Sequence, residues 1–181
     1  MIITSPVNQS WNNTIRGERQ GILLHYDDSS SDTGALGWLT TDPRCGVSYN
    51  VLVLDNGVAY QIAPMTARAW HAGVCKPSDP AHPYDDANSA FYGVAVAARD
   101  GEVVTPAQFL GVVQVCRDLA ARHGWDLGAE PWRITGHDRE AWPRGRKIDP
   151  RGSTPGRDVL SVEAVRQQFV NESSPTPPVA A

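Results

Sequence analysis

Two of the five histidines in the chain stand where chemistry is easiest to place. His25 closes the run GILLHY and His137 follows RITG, each at the carboxyl end of a short apolar stretch, the end of a strand at which α/β folds commonly build their sites. Further on, Asp149 in GRKIDPRG offers a carboxylate. Two imidazoles and one carboxylate, with a fourth position left open, form a recurrent ligand set for a catalytic zinc ion. The same two histidines also fit a plainer description as core imidazoles bonded to backbone, and the spacing does not choose between the two. Lys147 stands out by its type. The sixteen Lys and Arg residues include only two lysines, Lys76 and Lys147. With Ile148 extended, the side chains of Lys147 and Asp149 point to the same side, which sets an ammonium beside a carboxylate. A compact point charge there suits an oxyanion better than a longer planar guanidinium would; a solvated lysine in a basic loop is the alternative.

Elements able to hold these residues are legible around them. GILLHY (21–26) reads as a buried strand that opens through DDSSSD into a loop or short helix. VSYNVLVLDNGVAYQI reads as two strands joined at Asn56-Gly57, a dipeptide that supplies the positive φ angles of a tight hairpin. FYGVAVAA (91–98) is a further strand and WRIT (132–135) the last. At TPAQ, Thr105 can cap a helix, Pro106 takes its first turn and Gln108 completes a capping box. Phe109, Leu110, Val113, Cys116, Leu119 and Ala120 then mark one apolar face, up to Gly124 as a left-handed stop. SVEAVRQQF (161–169) is a final helix. The expected fold class is α/β: a single domain with a central mixed β-sheet flanked by helices.

A chain of 181 residues, 41% hydrophobic, can bury one substantial core. The expected division is an N-terminal extension over 1–20 that packs on the domain, a catalytic domain over 21–170, and a disordered Ser/Pro-rich tail over 171–181 (NESSPTPPVAA). A formal net charge of −4 gives no general attraction for nucleic acid, and no segment approaches the roughly 20 apolar residues of a membrane span. No nucleic-acid partner and no membrane insertion are expected. Three cysteines, Cys45, Cys75 and Cys116, are an odd number without zinc-finger spacing, so no disulfide framework is expected. The amino terminus lacks the basic start and apolar core of an export signal, which points to synthesis in the cytoplasm.

Five ordered motifs, ILLHYDDSS, GVSYNVLVLDNGVAYQ, AWHAG, ITGHDRE and GRKIDPRG, resemble those of zinc-dependent N-acetylmuramoyl-L-alanine amidases, the family that includes phage amidase endolysins and peptidoglycan recognition proteins. The resemblance covers Gly21 to Phe169. It implies one zinc ion on His25, His137 and Asp149, with Tyr49 and Lys147 as catalytic residues and His71 of AWHAG in contact with substrate or orienting the site. Aspartate replaces the cysteine of the endolysin members, and a carboxylate leaves zinc the stronger Lewis acid. Asn50 stands where a histidine is common. Ala95 stands where some relatives carry a glutamate base, which favours a version assisted by Tyr49.

The resemblance further implies a hydrolase of bacterial peptidoglycan that cuts the amide between N-acetylmuramic acid and L-alanine. The expected setting is a monomeric phage or prophage endolysin that reaches the wall through a membrane hole made by another protein. A cytosolic amidase recycling soluble muropeptides and a non-catalytic peptidoglycan-binding protein are the alternatives. The basic stretch Arg139–Arg157, with Arg146 in it, is placed to receive stem-peptide carboxylates, with a solvated loop as the alternative. GVCKPSDPAHPYDDANSAFYG, too polar and Pro-rich for core, is expected to wall a groove beside the metal.

Overall fold

The computed structural model describes residues 2–4, 11–12 and 14–173. The strands are β1 (Ile2–Thr4), β2 (Trp11–Asn12), β3 (Gly21–Tyr26), β4 (Val51–Val53), β5 (Ala59–Gln61), β6 (Arg68–Ala69), β7 (Phe91–Val96) and β8 (Ile134–Gly136). The helices are α1 (Asp32–Thr40), α2 (Ala87–Ala90), α3 (Pro106–His123), α4 (His137–Glu140) and α5 (Val162–Ser173). Six strands form one sheet in the order β1-β5-β4-β7-β3-β8. β4, β7, β3 and β8 run parallel, and β5 turns back antiparallel to β4 across the Asn56-Gly57 hairpin. Of the expected Asn56-Gly57 pair only Gly57 is left-handed, at φ +81°: Leu54 and Val58 pair across a three-residue loop (55–57), a turn that needs one positive φ and not two. The sheet is mixed and helices flank it, as the sequence implies.

Alternation along the central strands sorts their side chains between two faces. Ile22, Leu24 and Tyr26 of β3, with Tyr92, Val94 and Val96 of β7 and Val51 and Val53 of β4, join the core cluster that also holds residues of α3 and α5. Leu23 and Phe91 leave by the opposite face into a smaller cluster with Ala72, Ala87 and Ala90. His25 lies on that second face, in register with Ala95 of β7.

At the start of α3 the Thr105 hydroxyl accepts from the Gln108 N–H at 3.0 Å, and Gly124 closes the helix at φ +68°. The expected capping box is corrected: the buried Gln108 side chain donates instead to the carbonyls of Val53 (3.1 Å) and Ala97 (3.0 Å), tying the helix to the sheet. Its buried side is Gln108, Val112, Val113, Val115, Cys116, Leu119 and Ala120. Leu110 is a correction to the expected face. It is 61% exposed, because at 100° per residue it points away from the arc that contains Val113, Cys116 and Ala120. The expected strand over 132–135 is also adjusted. A 3-10 turn occupies Pro131–Arg133 and the strand starts at Ile134.

Of the amino-terminal segment, β1 pairs in parallel with β5 and β2 pairs with β6. The Arg19 guanidinium donates to the carbonyls of Ala67, Asn88, Ser89 and Phe91, tying the entry of β3 to α2. The expected tail over 171–181 is corrected at its start, because α5 runs through residues 171–173; from 174 onward the chain lies outside the described residues. Among the described residues Cys45, Cys75 and Cys116 form no disulfide. Among the described residues no helix is long and apolar enough to cross a membrane.

Candidate active site

Three chain segments bring the candidate ligands together. His25 sits near the end of β3, His137 opens α4 directly after β8, and Asp149 comes from the following loop; all three are buried. Gly136 makes the approach of that loop possible. A Cβ there would stand 2.5 Å from Asp138 Oδ1 and 2.8 Å from Pro150 Cδ, so only glycine lets the 149–150 segment close on β8. The loop is then pinned by the Asp138 N–H on the Asp149 carbonyl (2.6 Å) and the Leu160 N–H on the Pro150 carbonyl (3.0 Å).

Nδ1 of His25 and Nδ1 of His137 converge on one oxygen, Asp149 Oδ2, at 2.8 and 3.0 Å. The three candidate ligand atoms all lie within 4.8 Å of one another. The outer nitrogens are occupied as well. His25 Nε2 is 3.0 Å from Nδ1 of His71, and His137 Nε2 donates to the Ala72 carbonyl at 2.8 Å. Both outer nitrogens are thus engaged, and the two Nδ1 atoms face the carboxylate. The donor set and its second layer of bonds therefore fit a zinc ion.

Electrostatics point the same way. Burial pushes the His25 imidazole down to about 4, against the raising effect of its bond to Asp149, so the ring is neutral near pH 7. Burial works against the Asp149 carboxylate, yet hydrogen bonds from His137 and His25 hold it well below the usual carboxylate range. His71 is held well below its ordinary value by burial and then by the neighbouring His25 and His137. The centre thus sets an ionised Asp149 carboxylate beside a neutral His25 imidazole, groups that can bind a divalent cation.

Tyr49 packs its ring beside His25, centroids 5.2 Å apart, within the cluster formed by Leu39, Leu52, Ile62 and Ala95. Burial, followed by the Asp149 charge, pushes its phenol far above 10, so the hydroxyl keeps its proton. Lys147 is exposed and lines a cavity of about 420 Å³ together with His71, Ala72, Asn88, His137, Trp70 and Arg146. Arg146 also lies at the exposed rim, where its guanidinium donates to the carbonyls of Trp142 (3.0 Å), Ala72 (3.2 Å) and Val74 (2.7 Å). His71 is buried under that cavity against β7. A Cβ at position 93 would fall 2.5 Å from His71 Cγ, and Gly93 leaves the room. Asn50 serves the frame: it accepts from the Gly93 N–H and donates to the Pro64 carbonyl.

Two buried polar residues have no clear signal in the sequence. Asn88 Oδ1 accepts from the N–H groups of both His71 and Ala72, each at 2.9 Å. Glu140 accepts from the Ser78 N–H and hydroxyl, the Tyr84 phenol and the Thr135 hydroxyl, which fastens α4 to the 78–84 segment. These contacts correct the reading of GVCKPSDPAHPYDDANSAFYG as groove wall alone. Its second half, Ala87–Phe91, is buried core behind the site. A larger cavity of about 680 Å³ beside Glu140 and Trp132 contains none of the residues singled out in the sequence as site residues.

Residues 16–152 match the family profile described as N-acetylmuramoyl-L-alanine amidase, and the chain belongs to that family. No curated protein matches the chain. Among solved structures it is similar to a selenomethionine derivative of AmpD (TM-score 0.68, 20% identity, covering 93% of each chain). It is also similar to the catalytic domain of PlyG (TM-score 0.66, 17% identity, 99% of each chain). A third likeness is to the endolysin LysCS, an N-acetylmuramoyl-L-alanine amidase from Clostridium intestinale URNW (TM-score 0.63, 15% identity, 94% of this chain and 95% of that one). At these identities the likenesses establish a shared fold.

Proposed function

We propose that this member of the amidase family is a zinc-dependent enzyme that cleaves the amide joining the lactyl group of N-acetylmuramic acid to L-alanine in peptidoglycan. His25, His137 and Asp149 would hold the metal. The observation that carries the reading is the convergence of two Nδ1 atoms on Asp149 Oδ2 with both Nε2 atoms already engaged. When bound, a zinc ion supplies Lewis-acid polarisation of the scissile carbonyl and lowers the pKa of water toward about 7.

The chain's own residues supply the rest. The cavity in front of His71 and His137 admits the peptide bond, with the Lys147 ammonium at its edge, where negative charge on a tetrahedral carbon–oxygen centre would be steadied. Tyr49, protonated and beside His25, is a hydrogen-bond donor that orients the attacking water or the carbonyl oxygen. Ala95, opposite His25 on β7, brings a methyl group where some relatives carry a carboxylate base, so water activation falls to the metal centre with Tyr49. Arg146 at the exposed cavity margin suits stem-peptide carboxylates.

We assign the enzyme to wall lysis of the endolysin kind. The support is the rim of the site cavity, where Val47 and Trp70 are both exposed and a strand of polymeric wall can lie across them. Zinc-loaded protein should clear suspensions of intact sacculi, lose that activity to a strong chelator and regain it with zinc. Elemental analysis that finds active protein free of metal would overturn the zinc assignment. Turnover of small anhydro-muropeptides with no effect on sacculi would replace lysis by recycling.

A further inference from the structure

The dipeptide His71–Ala72 touches both histidines of the centre. The His71 ring meets the outer nitrogen of His25, and the Ala72 carbonyl meets that of His137. The two peptide N–H groups of this same dipeptide donate to a single atom, Oδ1 of Asn88, each at 2.9 Å. Asn88 is 5% exposed and lies on α2, whose four residues are all buried. Its own carbonyl is held by Arg19 at 3.1 Å. One carboxamide oxygen therefore fixes the backbone that carries the groups meeting both imidazoles.

We infer that Asn88 is a positioning residue of the metal centre: by clamping residues 71 and 72 it sets the tautomer and ring orientation of His25 and His137 together. The inference rests on the zinc assignment above. A neutral imidazole has one lone pair, and the nitrogen that offers it is decided by where the ring proton is held. With an ion on both Nδ1 atoms the ring protons lie at Nε2, where the Ala72 carbonyl takes that of His137 and His71 Nδ1 that of His25. Without the Asn88 oxygen, two buried N–H donors lose their acceptor, a cost that drives the dipeptide to move. Both acceptors move with it. Partners of metal-bound histidines at this remove typically change metal affinity by about 10- to 100-fold.

The test is a competition titration of zinc against a chromogenic chelator, run on the full chain as wild type, Asn88→Ala and Asn88→Asp. Asn88→Ala should bind zinc at least about tenfold more weakly, and Asn88→Asp, which keeps an oxygen at that place, should recover most of the loss. A purely structural role would lower the melting temperature of the metal-free protein and leave the titration unchanged. Nitrogen NMR of the zinc-loaded wild type, which needs no variant to fold, should show both histidines bound through Nδ1 with protonated Nε2. Gly93→Ala adds an independent arm: it leaves Asn88 in place, displaces the His71 ring and should also weaken zinc binding. Zinc held as tightly by Asn88→Ala as by wild type, or either histidine bound through Nε2, overturns the clamp alone. A wild type that takes up no zinc overturns the zinc assignment and the clamp with it.

Discussion

At the scale of single residues, the account separates groups that hold the ion from groups that act on the substrate. Asp149→Ala removes one of the three proposed ligands and leaves the two histidines without the oxygen on which they converge, so zinc content and wall-clearing activity should be lost together. Tyr49→Phe deletes a hydroxyl inside an apolar cluster, and Lys147→Met deletes an exposed charge; each keeps most of its side-chain volume. Both should retain zinc and a near-normal melting temperature while activity falls roughly a hundredfold, the scale for one transition-state donor. Near-normal lysis by both variants with zinc bound would return these residues to the frame. The ligand candidates were legible in the sequence because histidine and aspartate declare their chemistry by type, and strand ends are where such types collect. Asn88 was not legible: an asparagine in a polar, proline-rich stretch reads as a turn residue, and only the fold reveals the two N–H groups that meet its oxygen.

At the scale of elements, the site depends on alternation and on glycines. The strict period of two in β3 sends Leu24 into the helix-side core and His25 to the opposite face, so a one-residue slip of this strand would bury the histidine among α3 and α5. Gly136→Ala places a methyl 2.8 Å from Pro150 Cδ and should push Asp149 away from His137, weakening zinc binding in a chelator titration while the sheet stays intact. Thr105→Ala tests an element remote from the chemistry. It removes the cap on Gln108 N–H and should cost about 1 kcal/mol, lowering the melting temperature by roughly 2–4 °C with no change in lysis rate well below it. The start of α3 and the hairpin at Asn56-Gly57 were readable because local chemistry fixes them. The exposure of Leu110 was misread because several apolar residues in a row blur a helical face until the packing partner is known.

For the whole molecule, what the sequence withheld is the pairing order. β3 lies between β7 and β8, and no local signal encodes these long-range parallel contacts. That order nevertheless creates the function, because it sets the ends of β3 and β8 side by side and lets the loop carrying Asp149 close over them. Family membership was legible in the five ordered motifs, and the fold agrees with it. The measurement that tests the account most directly is mass spectrometry of purified cell walls digested by the zinc-loaded protein. The account predicts stem peptides released with free L-alanine amino termini and glycan strands with no new reducing ends. New reducing sugars, or peptides cut within the stem with the lactyl amide intact, would contradict it.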